Sequence, residues 1–121
     1  MRFEDLEVWK RSAALSAEIY ITMKGLRDFG FKDQITRSSL SIPSNIAEGI
    51  ERGSGNEVMR FCLIARGSCG ELRTQIYIGM KIGYIEATSG SIWIKETSEI
   101  SAMLSGLIKH RQGKKHAYSA T

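Results

Sequence analysis

Five residues in the middle of the chain have the types and spacing needed to hold an anionic polymer. Arg66, Gly70, Arg73, Tyr77 and Lys81 follow one another at intervals of three and four, so on a helix they share one edge. Three cations and one aromatic ring, with no acid among them, supply phosphate contacts and a stacking surface. The same run also suits a solvated edge whose long stems cover apolar neighbours. A second polar run, Gln34, Arg37, Ser41, Asn45, Glu48 and Arg52, repeats at helical spacing directly beside an apolar stripe of Ile35, Ile42, Ile46 and Ile50. It places short hydrogen-bonding groups where a surface helix normally carries Lys and Glu. Three roles fit it: a network that sets helix register, a subunit interface, or a ligand site.

Charge points the same way as the first run. The formal net charge is +4, yet residues 1–108 contain thirteen Lys/Arg and thirteen Asp/Glu, so the excess comes from Lys109, Arg111, Lys114 and Lys115. A basic extension suits RNA or DNA, and a solvated tail has the same composition. Catalytic chemistry finds little support. Arg52-Gly53-Ser54-Gly55 lacks the spacing and the lysine of a phosphate-binding loop. No histidine falls near either cysteine, and the one candidate carboxylate pair, Glu48 with Glu71, has arginine neighbours that favour ion pairing over acid catalysis. The Glu-x-x-His pattern of bundle metal sites is absent. Cys62 and Cys69 are seven apart on one expected helix, a separation of roughly 10 Å that no disulfide spans. They read as reduced core residues. The expectation is a protein that is no enzyme and takes neither cofactor nor metal.

Four helices must position these groups. With 121 residues, 42% hydrophobic and 25% charged, the chain has the size and composition of one water-soluble domain with a single core. No apolar run reaches the ~18 residues that cross a bilayer, and Met1 to Asp5 lacks a signal-peptide stretch, so a cytoplasmic location is expected. The first helix should start at an Asp5 cap, end near Lys24, and bury Leu6, Trp9, Ala13, Ala17, Tyr20 and Met23. The second should run from about Phe31 to Glu51. Pro43 in its interior favours a kink over a break, because both stripes keep their phase across it. Ser54 and Glu57 have the spacing of a capping box for a third helix ending near Ile82. Its apolar stripe includes Val58, Phe61, Cys62, Ala65, Cys69 and Leu72, and Gly67 and Gly70 within it predict close approach by a neighbouring helix. The fourth should begin near Thr88 and end near Arg111, with Ile92 on its apolar stripe and Glu96 marking a less buried start. Short connections imply an all-α, up-down-up-down antiparallel four-helix bundle over residues 1–111, followed by a flexible basic tail, 112–121.

Four segments carry a resemblance: Phe3-Glu4-Asp5-Leu6-Glu7-Val8-Trp9, Gln34-Ile35-Thr36-Arg37-Ser38, Ser41-Ile42-Pro43-Ser44-Asn45-Ile46-Ala47-Glu48-Gly49 and Ala65-Arg66-Gly67-Ser68-Cys69-Gly70-Glu71-Leu72. Together they resemble the bacterial four-helix-bundle proteins encoded by intervening sequences within 23S rRNA genes, also called S23 ribosomal proteins. The resemblance implies a homopentamer. It also implies kinship with the accessory variability protein of diversity-generating retroelements, a basic pentamer that binds nucleic acid and a reverse transcriptase. The combined expectation is a non-enzymatic oligomer that binds nucleic acid, RNA ahead of DNA, through Arg66, Arg73, Tyr77, Lys81 and the tail. The rival expectation is a protein-interaction scaffold with no nucleic-acid contact.

Overall fold

The computed structural model describes the backbone of residues 1–119 and the side chains of residues 1–111. A 3-10 turn, Phe3–Asp5, precedes four helices: α1 (Glu7–Met23), α2 (Phe29–Arg52), α3 (Gly55–Lys81) and α4 (Ala87–Ser119). Each helix packs on the next, α1 meets α4 along a thinner seam, and the backbones of α1 and α3 stay apart across the shared core. The four therefore surround one core, with α1 and α3 at opposite corners. α2 and α3 run in opposite directions, Ser41 meeting Ser68 while Gly49 approaches Phe61, and so do α3 and α4, Arg66 meeting Ser105 and Arg73 meeting Ser98.

Caps and turns fall close to their expected places. Asp28 caps α2 by accepting from the Phe31 amide at 3.1 Å, and Ser54 caps α3 by accepting from the Glu57 amide at 3.2 Å. Gly53 and Gly83 end α2 and α3 with φ of 83° and 82°, backbone that glycine adopts without a Cβ clash. Asp28 also receives the Tyr84 hydroxyl at 2.8 Å, which ties the α1–α2 and α3–α4 connectors together. The Phe31 amide foremost, and then this hydroxyl, hold the Asp28 carboxyl below its usual range.

α2 packs against both α1 and α3. Ile35, Ile42 and Ile46 are buried as their spacing predicts, and one unbroken helix runs through a buried Pro43. Toward α1, Ser16 Oγ meets Ser39 Oγ at 3.0 Å. Ser39 donates its own proton to the Thr36 carbonyl, so Ser16 is the donor. Toward α3, Ser41 Oγ meets Ser68 Oγ at 2.9 Å. Gly49 is the close approach: a Cβ there would stand 3.0 Å from Phe61 Cβ and 3.3 Å from the Val58 Cα.

Several expectations are corrected. Asp5 is no helix cap; it lies in the 3-10 turn, and α1 follows an uncapped Leu6. The core face of α1 is Val8, Leu15, Ile19 and Met23, while Trp9 and Ala13 are half-buried and Ala17 and Tyr20 exposed. α1 carries two apolar stripes side by side, and the one with Leu15 and Ile19 turned inward. Gly67 and Gly70 mark no close approach, since nothing lies within 4 Å of a Cβ built on either; Ser68 and Cys69 between them are the inward residues. The start of α4 is well buried through Trp93 and Thr97, whereas Ile92 is exposed. Glu96 reaches α1, where it accepts from Arg11 Nε at 3.2 Å, and Glu99 joins the same guanidinium at 3.4 Å. Finally, α4 continues to Ser119 rather than stopping near Arg111. Gln112, Lys114, Lys115 and Ala117 are good helix formers and no proline interrupts them.

The two glycine settings predict opposite signs. Gly49→Ala overpacks the α2–α3 contact and should destabilise the fold by about 1–2 kcal/mol. Gly70→Ala, in open space, should stabilise it by about 0.5–1 kcal/mol. Urea unfolding monitored by circular dichroism checks both, and equal signs would contradict the packing described.

Candidate nucleic-acid interface

The basic run of α3 faces α4. Arg66 donates from Nη1 to Ser105 Oγ at 3.2 Å, and Arg73 donates from Nη1 to Ser98 Oγ at 3.4 Å. Both pairs are seven residues apart on antiparallel helices, so the two arginines repeat along one seam at a rise of roughly 10 Å. Gly70 lies between them with open space where a side chain would stand. Tyr77 continues the line, 58% exposed, and Lys81 closes it in the last turn of α3. On α4, Ser98, Ser105 and Lys109 step by seven and four, which puts the exposed Lys109 on the same edge.

The manner in which these cations are held sets them apart. Arg37 and Arg52 each pair with a carboxylate one turn back, Asp33 at 2.9 Å and Glu48 at 3.0 Å. Arg60 pairs with Glu57 at 3.4 Å, and Arg11 with Glu96 and Glu99. Arg66 and Arg73 rest on neutral hydroxyls, and neither has a carboxylate partner among the described residues. A serine hydroxyl orients a guanidinium without neutralising it, so its remaining donors face solvent with the full charge. Arg73 is also the charge that partly opposes the upward shift of the Cys69 thiol.

Not every expected residue joins this seam. Arg111 turns inward and lies half-buried near Cys62, with no hydrogen-bond partner for Nε among the described residues. Its place two positions past Lys109 carries it off the basic edge and toward the core. The side chains of Lys114 and Lys115 lie outside the described residues. Ser98 and Ser105 were not anticipated as arginine partners. The available signal was their seven-residue spacing, which matches that of Arg66 and Arg73.

The polar run of α2 divides into two kinds of residue. Ser41 works between helices, meeting Ser68 of α3, and Asn45 braces it from within α2: Asn45 Nδ2 donates to the Ser41 carbonyl at 2.8 Å and to Ser41 Oγ at 2.9 Å. Arg37, Glu48 and Arg52 make exposed pairs within α2, and Gln34 is exposed. Glu48 pairs with Arg52 as the arginine neighbours predicted, but at the surface. Cys62 and Cys69 are buried free thiols. Burial pushes Cys69 up from 9.0 to about 11 and shifts Cys62 in the same direction, the opposite of what a nucleophilic thiolate needs. Among the described residues, no group of three or more His, Cys, Asp and Glu is placed to hold a metal ion, and no helix is long and apolar enough to cross a membrane.

Comparison with known proteins identifies the family. The model of the 23S rRNA-intervening sequence protein family matches residues 4–106, which takes in the whole basic run of α3 and the Ser41–Gly49 signature. The chain belongs to this family. A crystal structure of a protein of unknown function from the S23 ribosomal protein family of Bacteroides thetaiotaomicron superposes on it with a TM-score of 0.78. The two are 24% identical, over 84% of this chain and 98% of that one, and the likeness shows the fold. No curated protein matches the chain.

The shift of Cys69 has a thermodynamic consequence. The folded pKa lies above the unfolded one, so the buried neutral thiol contributes stability that is fully present below pH 9 and is lost as pH rises toward 11. The difference in unfolding free energy between the wild type and Cys69→Ala should therefore shrink across that window in denaturant titrations. A difference independent of pH would contradict the burial described.

Proposed function

We propose that the protein is a non-enzymatic, self-associating helical bundle that binds nucleic acid, RNA ahead of DNA, along the α3–α4 seam. The observation that carries this reading is the pairing of Arg66 and Arg73 with serine hydroxyls, where Arg11, Arg37, Arg52 and Arg60 have carboxylates. Phosphate groups meet two oriented, un-neutralised guanidiniums, with Lys81 and Lys109 extending the track at its two ends. Bidentate hydrogen bonds to phosphate oxygens are the chemistry that guanidinium performs best. Tyr77 offers a ring face to a base beside Arg73. The open backbone at Gly70 leaves room for a sugar-phosphate chain to lie close to the helix. RNA is preferred because the family is named for its place within 23S rRNA genes. Contacts of this kind position a strand without reading its sequence.

A second reading, a scaffold for a protein partner, draws on the exposed aliphatic residues Leu63, Ile64, Ile78 and Ile82 on the outer side of α3. The two readings part on salt. Phosphate binding weakens steeply with ionic strength, whereas an apolar contact does not.

Arg66→Glu together with Arg73→Glu should weaken binding to a fluorescent rRNA-derived hairpin at least tenfold in ~0.15 M salt, and should lower the slope of log affinity against log salt by about 1–2. Fluorescence anisotropy measures both, and circular dichroism confirms that the variant stays helical. A wild type without measurable affinity at that salt, or a variant that binds as tightly, would overturn the reading.

A further inference from the structure

The charge of the α3–α4 seam is one line wide. Lys81, Arg73 and Arg66 follow one another along α3, and Lys109 of α4 stands one turn past the Ser105 that holds Arg66. From Lys81 to Arg66 the rise is roughly 22 Å, and Lys109 carries the line about 6 Å further. Neither flank repeats it. On the outer side of α3 the line is bordered by Gly67, Glu71, Thr74 and Ile78, and Glu71 is exposed with no ion-pair partner among the described residues. On the far side of α4, a hollow of about 420 Å³ against α1 is lined by Glu18, Glu96 and Glu99, with Lys95 its one cation. Arg11 engages Glu96 and Glu99, which leaves Glu18 exposed with its charge. Carboxylates thus border the cations on both sides. Within the line, Tyr77 lies four residues from Arg73 and four from Lys81, so a ring that is 58% exposed stands between two positive charges.

We infer that the seam takes a single RNA strand in preference to a duplex, with one unstacked base lying on the Tyr77 ring. This rests on the nucleic-acid reading above and names the form of polymer that the seam fits. A duplex presents two rows of phosphates with a groove between them, roughly 6–12 Å across in B-form DNA and wide and shallow on the minor-groove side of RNA. Packed helices stand about 8–10 Å apart, so a second row parallel to the first falls over the neighbouring surface. There it meets Glu71 on one side or the Glu18 hollow on the other, and like charges repel. A duplex also keeps its base faces against one another and gives Tyr77 only backbone to touch. A single strand escapes both penalties. Its one row of phosphates follows the one row of cations, and its bases are free to turn. Arg73 and Lys81 then hold phosphates on either side of the base that covers Tyr77. Arg66 and Arg73, roughly 10 Å apart, are separated by about three nucleotides at the ~3.4 Å rise of a stacked strand. Gly70 leaves the intervening stretch room to lie close. Stacking of this kind accepts any base, so the strand is recognised by its form rather than its sequence.

The test compares an unstructured RNA strand longer than the track with the blunt duplex that it forms with its complement, by fluorescence anisotropy on the full chain in ~0.15 M salt. The wild type should bind the strand at least tenfold more tightly than the duplex. Tyr77→Ala should lower affinity for the strand about tenfold and leave the duplex within twofold, whereas Tyr77→Phe, which keeps the ring face, should match the wild type. Circular dichroism checks that both variants remain helical, as substitution at an exposed position allows. A wild type that binds the duplex as tightly as the strand would overturn the single-strand inference and leave the phosphate contacts of the seam standing. So would a Tyr77→Ala variant that is unaffected, or one that weakens both forms equally. No affinity for either form would remove the nucleic-acid reading and this inference together.

Discussion

The structure depends on the burial of α2 between two neighbours at once. Ile35, Ile42 and Ile46 each lose essentially all contact with water, and burial of this kind contributes about 1.5–3 kcal/mol per side chain. The serine pairs on either flank, Ser16 with Ser39 and Ser41 with Ser68, contribute about 1 kcal/mol each. Isoleucines thus supply the driving force and serines the register, because a slip of one turn would strand buried hydroxyls without partners. The same logic explains the Ser41–Gly49 signature residue by residue. Ser41 bonds across to α3 and Asn45 braces Ser41 within α2, Ile42 and Ile46 fill the core, Pro43 presents no amide in a place where packing holds the helix together, and Gly49 lets Phe61 and Val58 come close.

Once α2 is fixed, α3 becomes a wall with three uses. Its inner face, from Val58 to Ile76, completes the core. Its edge toward α4 carries the serine-held arginines, and its outer face carries exposed isoleucines flanking an open glycine. Glycines at 67 and 70 lower helix stability by about 1 kcal/mol each and return nothing within the monomer. A helix this long tolerates that cost because its core face is so well buried.

Much of this was legible in the residues themselves. The isoleucine stripe of α2, the core stripe of α3, the Ser54 cap and the reduced cysteines follow from spacing and residue type alone, whereas Asp28 read as a connector residue and is the cap of α2. α1 was misread because Trp9, Ala13, Ala17 and Tyr20 form a second apolar stripe beside Val8, Leu15 and Ile19, and periodicity does not rank two stripes on one helix. Ile92 and Trp93 posed the same problem on α4, where the larger ring went inside. Gly67 and Gly70 were read as a close helix approach, but small residues permit such an approach without requiring it, and the space beside both is open. The arginines of the seam were visible, but their serine partners depend on the pairing register of α3 with α4. The half-buried setting of Arg111 beside Cys62 follows from its helical phase, which the composition of the tail does not express.

The central claim is that the α3–α4 seam is where an RNA strand lies. Ultraviolet cross-linking of the wild-type protein to a photoreactive rRNA-derived hairpin, followed by mass spectrometry of the adducted peptides, tests it most directly. Adducts should concentrate on the α3 segment from Arg66 to Lys81, with Tyr77 foremost, and on α4 around Ser98 to Lys109. Adducts confined to α1 and α2, or none at an RNA concentration that saturates binding, would contradict it.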